Sequence, residues 1–445
     1  MLIKLVIANL YSFKEQTEFC LIPDKEQNLS WHKTTCNNIS SLRLCAMYGA
    51  NGAGKSNFIK VLFLLKKMVK VGKMYNNPSS IKFKLDKKSD DIPSSIGIEF
   101  MAEGKNYYYA ITFDGENILY EGLFESKLEC DELIFEREFE NGEHISFSVS
   151  YPKDEKNKMF KELLEERLIK RNTICLSYLA QNNDDVFPDV MNAYKWITET
   201  LIVIRSQDKQ VDLANLLDIN PNMQDFANKL ISNSETGVNS VKIDVDTLKP
   251  DVNIDKEVYE LISARLNDSE QVTIQENISG EGISIVKEDG VLKRKKLFTS
   301  HFMASGEEIK FPIGAESDGT KRLLYYVPIL YGIIFGNKVV AVDEIDRSVH
   351  GLLIKEIIAK LSREKKLNGQ LIFTTHESGL LDQSILRRDE IWFAQKDLTE
   401  GSTKLYPLSD YKVHHTANIE NGYLNGRYGG IPFLSNLHDL HWNNE

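Results

Sequence analysis

The sequence predicts an α/β protein: a mixed, largely parallel sheet with flanking helices, carrying an inserted antiparallel β subdomain and a helical/β insertion. Three observations predict it. Near the start, an apolar run at 42–47, the string Gly49-Ala-Asn-Gly-Ala-Gly-Lys-Ser56 and a helical apolar pattern at 57–69 read as strand, glycine loop and helix. Over 338–394, short apolar runs alternate with helical patterns, the mark of a parallel sheet. Between them, 96–150 switches to a period of two, with Glu103-Gly104 and Asp114-Gly115 as hairpin turns.

Taken in order, 2–7 and 17–22 read as strands, 24–40 as loop, and then comes the glycine-loop unit. Strands at 96–100, 107–113, 118–120, 133–138 and 145–149 make the inserted antiparallel sheet. A helix follows at 153–172, with Met159, Phe160, Leu163, Leu164 and Leu168 at helical spacing, then an apolar run at 173–180. Residues 190–270 read as mostly helical and 272–311 as β-rich. The last α/β stretch is strand 338–342, helix 350–361, strand 369–374, a short helix at 380–386 and strand 390–394. The expected domains are 1–95, 96–150, 151–311, 312–396 and 397–445, with the first and fourth forming one core.

At 445 residues, two or three folded units are expected, and 42% hydrophobic content suffices for their cores. A net charge of −11 argues against a surface that coats nucleic acid non-specifically, but it does not exclude a local basic groove. Cys20, Cys36, Cys45, Cys130 and Cys175 show no C-x-x-C pair, which suits reduced thiols in the cytoplasm and offers no zinc framework. The apolar N-terminus reads as a first strand, not a leader. The apolar run 323–335 contains Pro328 and is broken by Gly336-Asn-Lys338, well short of the ~20 residues a membrane span needs. A soluble protein with no membrane partner is expected.

The glycine loop carries the first chemistry. Its backbone N–H groups can turn inward on phosphate oxygens, and the helix N-terminus adds positive potential. The expected nucleotide contacts are Asn51, Gly52, Ala53, Gly54, Lys55, Ser56 and Asn57, with Lys55 reaching the β- and γ-phosphates and Ser56 giving an oxygen to Mg²⁺. Val339-Val-Ala-Val-Asp-Glu344 is an apolar strand ending in two carboxylates: Asp343 to hold Mg²⁺, Glu344 to polarise the attacking water. The strand ending at His376 places a candidate γ-phosphate sensor one strand–helix–strand step later. Glu316-Ser-Asp-Gly-Thr-Lys-Arg-Leu-Leu324 opens an apolar helix with hydroxyls and free N–H groups at Ser317 and Gly319. Asn337-Lys-Val-Val340 lacks the Asp of a guanine-reading motif, so ATP is favoured over GTP.

In this order the four elements resemble an ABC-type P-loop ATPase head. The resemblance implies a homodimer or higher homo-oligomer in which Ser317 and Gly319 of one copy meet ATP held by Gly49–Ser56 of another. Asn9-Leu-Tyr-Ser-Phe13 looks like the RecF/SMC/OLD branch. The stretches at 316–324, 343–350, 373–377 and 386–393, and Asn418-Ile-Glu-Asn-Gly-Tyr-Leu-Asn-Gly-Arg-Tyr-Gly-Gly-Ile-Pro432, are similar to OLD-like ATPases of abortive-infection systems. Asp318 stands where transporter-type signatures have glycine, and Thr320-Lys321 replaces the usual Gly-Gln ending. Gln181 is the candidate for the Gln that links Mg²⁺ to the inserted sheet.

After Ala394 about fifty residues remain, with no Asp-x-Asp and no second α/β unit, so the metal-binding nuclease module of OLD-type enzymes is not expected. Asp244-Val-Asp246 reads as a solvated strand end and His414-His415 as surface loop. The family resemblance implies a separately encoded effector, commonly a nuclease, in a phage-defence locus. Nucleic acid stays a candidate partner through the basic residues Lys287, Lys293-Arg-Lys-Lys296 and Arg387-Arg388, although adjacent acids favour a solvated hairpin at the first two. The alternatives are a RecF/SMC-like repair ATPase that binds DNA directly and a nuclease with a degenerate site in 190–310. Gly426–Pro432 is expected to dock on the ATPase core or to cover it.

Overall fold

The computed structural model describes residues 1–26, 28–75, 80–139, 144–147, 155–182, 187–208, 213–250, 254–267, 271–275, 282–414 and 417–431. The chain divides into two compact units. The first comprises 1–206, 337–345 and 355–445; the second comprises 207–336 and 346–354.

The first unit holds two sheets. Its central sheet runs, in spatial order, Leu201–Ile204, Val339–Val342, Gln370–Thr374, Leu44–Tyr48, Ile391–Lys396 and Thr403–Pro407. The first five are mutually parallel and the last is antiparallel. Every residue of Val339–Val342, Gln370–Thr374 and Leu44–Tyr48 is buried, as expected of continuous apolar runs covered on both faces. This is the mixed, largely parallel sheet that the sequence predicts.

The second sheet is antiparallel and seven-stranded: His144–Phe147, Glu132–Glu138, Asn117–Glu125, Lys105–Asp114, Ser94–Ala102, Leu2–Ala8 and Thr17–Cys20. The period-two run forms the expected antiparallel sheet, and the first strands of the chain extend it. Leu2–Ala8 pairs on one side with Thr17–Cys20 and on the other with Ser94–Ala102, so the first strands of the chain and the period-two run form one sheet.

Two expectations change. The stretch 190–270 is not uniformly helical: Leu201–Ile204 is a parallel strand, where the β-branched Ile202-Val-Ile204 suits a pleated surface beside Val339–Val342. The short helix expected at 380–386 is replaced by a turn. Asp382 Oδ1 accepts from the Ser384 N–H (2.8 Å) and hydroxyl (2.7 Å), a local side-chain bond that competes with helix.

The second unit is built on Ser240–Thr247, Val291–Phe302, Gly282–Glu288 and Gln271–Gln275, with Glu308–Pro312 added to Val291–Phe302. Helices Leu213–Ile219 and Pro221–Ser232 pack on Asp318–Ile334, where Phe226 meets Tyr331 edge-on at 5.9 Å. Among the described residues no helix is long and apolar enough to cross a membrane.

Candidate nucleotide site

The buried strand Leu44–Tyr48 delivers the chain into the glycine loop, and helix Lys55–Val71 carries it away. Phe58, Ile59, Val61, Leu62, Leu65, Met68 and Val69 bury the face of this helix that turns toward the core. Two glycines are required by their surroundings. A side chain at Gly49 would collide with the Ala394 carbonyl oxygen, and one at Gly54 (φ 109°) with the Thr403 hydroxyl. Lys55 is buried and folds back over the loop, donating to the Gly49 carbonyl at 2.6 Å and the Ala50 carbonyl at 3.3 Å.

The loop is braced from the far side by polar groups that sequence reading missed. Thr403 Oγ1 donates to the Ala53 carbonyl (2.9 Å) and lies 2.7 Å from Ser12 Oγ, which accepts from Asn57 Nδ2 at 2.8 Å. Ser12 lies within the Asn9–Phe13 stretch noted above. Thr403 sits in a strand with no motif to flag it.

The carboxylate strand is brought to the loop. Ser56 Oγ donates to Asp343 Oδ1 at 3.2 Å. Asp343 is 2% exposed, and the same oxygen accepts from Thr374 Oγ1 at 2.7 Å. Thr374 Oγ1 in turn accepts from the Glu344 N–H at 2.7 Å. Glu344 takes a left-handed φ of 52°, an uncommon conformation for a non-glycine residue, which this bond helps to hold. Ile345 N–H donates to the Thr374 carbonyl (3.0 Å), and Thr375 N–H to the Met47 carbonyl (3.1 Å), tying the two strand ends to the glycine loop's own strand. His376 is exposed immediately beyond Thr375, at the same end of the sheet. The hydroxyl of Ser56 and the carboxylate of Asp343 are hard oxygen donors that converge on one point, and this donor set fits Mg²⁺.

Gln181, which follows the apolar run 173–180, lies on helix Cys175–Asn182, and its amide Nε2 donates to Tyr194 Oη at 3.3 Å. That helix is anchored at the far end of the glycine-loop helix, with Ser177 Oγ donating to the Val69 carbonyl at 2.6 Å. The apolar run 174–180 imitates a strand because nearly every residue in it is buried. The strand that does reach the carboxylates is Leu201–Ile204: the Asp343 N–H donates to the Ile204 carbonyl at 2.8 Å. Arg205-Ser206 follows it directly.

Ser317 and Gly319 belong to the second unit. Ser317 caps helix Asp318–Ile334, its Oγ accepting from the Thr320 N–H at 3.1 Å. A Cβ on Gly319 would stand 2.9 Å from the Ser348 carbonyl oxygen, so the backbone there packs too closely for a side chain. Ser317 and Asp318 are exposed.

The basic residues are occupied. Lys295 is buried between Asp218 (2.6 Å) and Glu288 (2.5 Å), Lys293 pairs with Glu288 (2.8 Å), and Arg294 with Asp246 (2.6 Å). Asp244 pairs with Lys310 at 2.8 Å, so Asp244 and Asp246 both serve ion pairs with neighbouring strands. Arg387 is fully buried, donating to Asp389 (2.6 Å) and to the Glu26 and Asn28 carbonyls. Arg388 donates to the Val413 carbonyl at 2.9 Å. Replacing Lys295 by Met should therefore lower stability by about 1–2 kcal/mol, because the partly exposed Asp218 loses this partner while Glu288 keeps Lys293. Retention on DNA at low salt should not change; selective loss of DNA affinity without loss of stability would contradict this reading.

A family model described as "AAA domain, putative AbiEii toxin, Type IV TA system" matches residues 44–382. No curated protein matches the chain. Among solved structures, an SMC head bound to the C-winged helix domain of ScpA is similar at 12% identity and a TM-score of 0.41, over 91% of this chain and 97% of that one. An SMC head domain from Thermotoga maritima is similar at 11% identity and a TM-score of 0.36, over 91% and 98%. An Smc head with an extended coiled coil, bound to the C-terminal domain of ScpA derived from Pyrococcus furiosus, is similar at 10% identity and a TM-score of 0.40, over 91% and 96%.

Proposed function

The chain belongs to this AAA-domain family, and we propose that it is an ABC-type ATPase that closes into a dimer around ATP and hydrolyses it. The observation that carries the reading is the meeting of Ser56 Oγ and Asp343 Oδ1 at 3.2 Å, next to a buried Lys55 whose ammonium lies over the glycine loop. Lys55 would neutralise the β- and γ-phosphates, and Ser56 and Asp343 would hold Mg²⁺, which supplies charge neutralisation to the transferring group when bound. Glu344 would polarise water and His376 would contact the γ-phosphate. The exposed start of helix Asp318–Ile334, with Ser317 and Gly319, would meet the ATP of a second copy.

The cellular role we propose is regulatory: a sensor subunit of an anti-phage system that controls a separate effector, in the manner of OLD-like ATPases. The family's toxin–antitoxin description and the family-like motifs support it. Direct DNA binding by a RecF/SMC-like ATPase draws less support, because Lys293, Arg294 and Lys295 are engaged with carboxylates.

Replacing Glu344 by Gln tests the composite site. The variant should bind ATP but turn it over about 100-fold more slowly or worse, as expected for losing the group that activates water. It should also accumulate as a dimer or larger assembly when ATP is added, read by light scattering after size exclusion. If its mass is unchanged by ATP, the composite-site mechanism is wrong.

A further inference from the structure

We propose that residues 417–431 form a clasp that fixes the loop after His376 relative to the glycine loop, and so act as a positioning element for hydrolysis; this rests on the ATPase reading above. The clasp grips the glycine loop at its first residue. Gly430, at φ 67°, packs so closely that a Cβ there would stand 3.3 Å from the Phe393 ring and 3.7 Å from Gly49 Cα. Tyr423 stacks on Phe393 (5.6 Å, 20°), meets Tyr48 edge-on at 5.6 Å, and donates its hydroxyl to the Gly430 carbonyl at 3.2 Å. Tyr428 is fully buried against Phe393 and Tyr411, and its carbonyl accepts from Tyr406 Oη at 2.9 Å.

The same segment holds the loop that follows His376. Ser378 Oγ donates to Glu420 Oε1 at 2.7 Å, and Gln383 Nε2 to the Ala417 carbonyl at 3.1 Å. Tyr48, the residue before Gly49, completes the link by donating its hydroxyl to the Glu377 carbonyl at 3.2 Å. One short segment therefore touches both the start of the glycine loop and the residues just beyond the candidate γ-phosphate sensor. An error of about 1 Å in placing a group beside a transferring phosphoryl can cost on the order of 100-fold in rate, while the bulk of nucleotide affinity comes from the glycine loop. Loosening the clasp should thus lower kcat and leave binding in place.

The test uses the full chain with Glu420→Ala, which deletes the Ser378 contact, and Tyr423→Phe, which deletes the Gly430 bond but keeps the rings. Hydrogen exchange at 376–383 should speed up in Glu420→Ala by roughly tenfold or more, a local opening of the kind exchange reports. In both variants kcat for ATP should fall about tenfold, while affinity for a non-hydrolysable ATP analogue moves less than about threefold and the melting temperature holds. Unchanged exchange at 376–383 overturns the clasp. So does a loss of kcat matched by equal losses of analogue affinity or thermal stability. Absence of hydrolysis by the unaltered protein overturns the ATPase reading instead, and the exchange measurement still reports on the clasp.

Discussion

Replacing Asp343 by Asn is expected to lower Mg²⁺-dependent ATP hydrolysis by about 10³-fold, because the several kcal/mol that a bound metal contributes to a phosphoryl transition state depend on its being held. The substitution is close to isosteric. The carbonyl oxygen of the new amide could still accept from Thr374 Oγ1, preserving the bond of 2.7 Å that links the strand ends, so the backbone of Glu344 would stay in place. What disappears is a buried negative charge 3.2 Å from the Ser56 hydroxyl. The fold should therefore survive, with a thermal midpoint near that of the unaltered protein, and phosphate release at saturating Mg²⁺ and ATP should collapse. Lys55→Ala offers the contrast: it removes the ammonium that lies over the loop, and should weaken ATP binding itself. If Asp343→Asn hydrolyses ATP within tenfold of the unaltered chain, Asp343 does not hold the metal.

The parts of this site that could be read from sequence are those whose signal is local. Residues 44–71 fold as strand, loop and helix from neighbours in sequence, with the glycine-rich string marking the turn between the two. Val339–Val342 declares itself as a continuous apolar strand with two carboxylates at its end. What was not legible depends on pairing over long separations. Nothing near Leu2–Ala8 shows that its second partner is Ser94–Ala102, about ninety residues away. Leu201–Ile204 is a four-residue edge strand just after a helical turn, and its neighbour, Val339–Val342, lies beyond residues 207–336 of the second unit. Thr403 was invisible for a related reason: a hydroxyl matters there because Ala53 and Ser12 happen to face it.

The largest expected effect on stability lies away from the nucleotide site, at Arg137. Its guanidinium is fully buried, donates to the Thr173 carbonyl (2.7 Å) and the Lys170 carbonyl (3.0 Å), and stands 3.5 Å from Glu121 Oε2. Glu121, also fully buried, caps helix Cys175–Asn182 by accepting from the Cys175 and Leu176 N–H groups at 2.8 Å, and accepts from Tyr109 Oη at 3.0 Å. Arg137→Met strips the charge from one side of this pair and leaves two carbonyls unmet, which should cost about 3–5 kcal/mol. Burial already pushes the Glu121 carboxyl above its ordinary value, and Arg137 opposes that push. Without Arg137 the folded-state value rises further above the unfolded one, so the folded variant binds more protons and its stability falls as pH rises. The deficit measured by chemical unfolding should therefore be smaller near pH 5 than near pH 8. Adding Glu121→Gln removes the uncompensated charge while its carbonyl oxygen can still accept from the helix N-terminus, so the double variant should recover part of the loss and show less of the pH dependence. A deficit equal at both pH values would mean that Arg137 acts through packing on Phe139, whose ring lies 4.4 Å from its guanidinium carbon, rather than through the Glu121 charge.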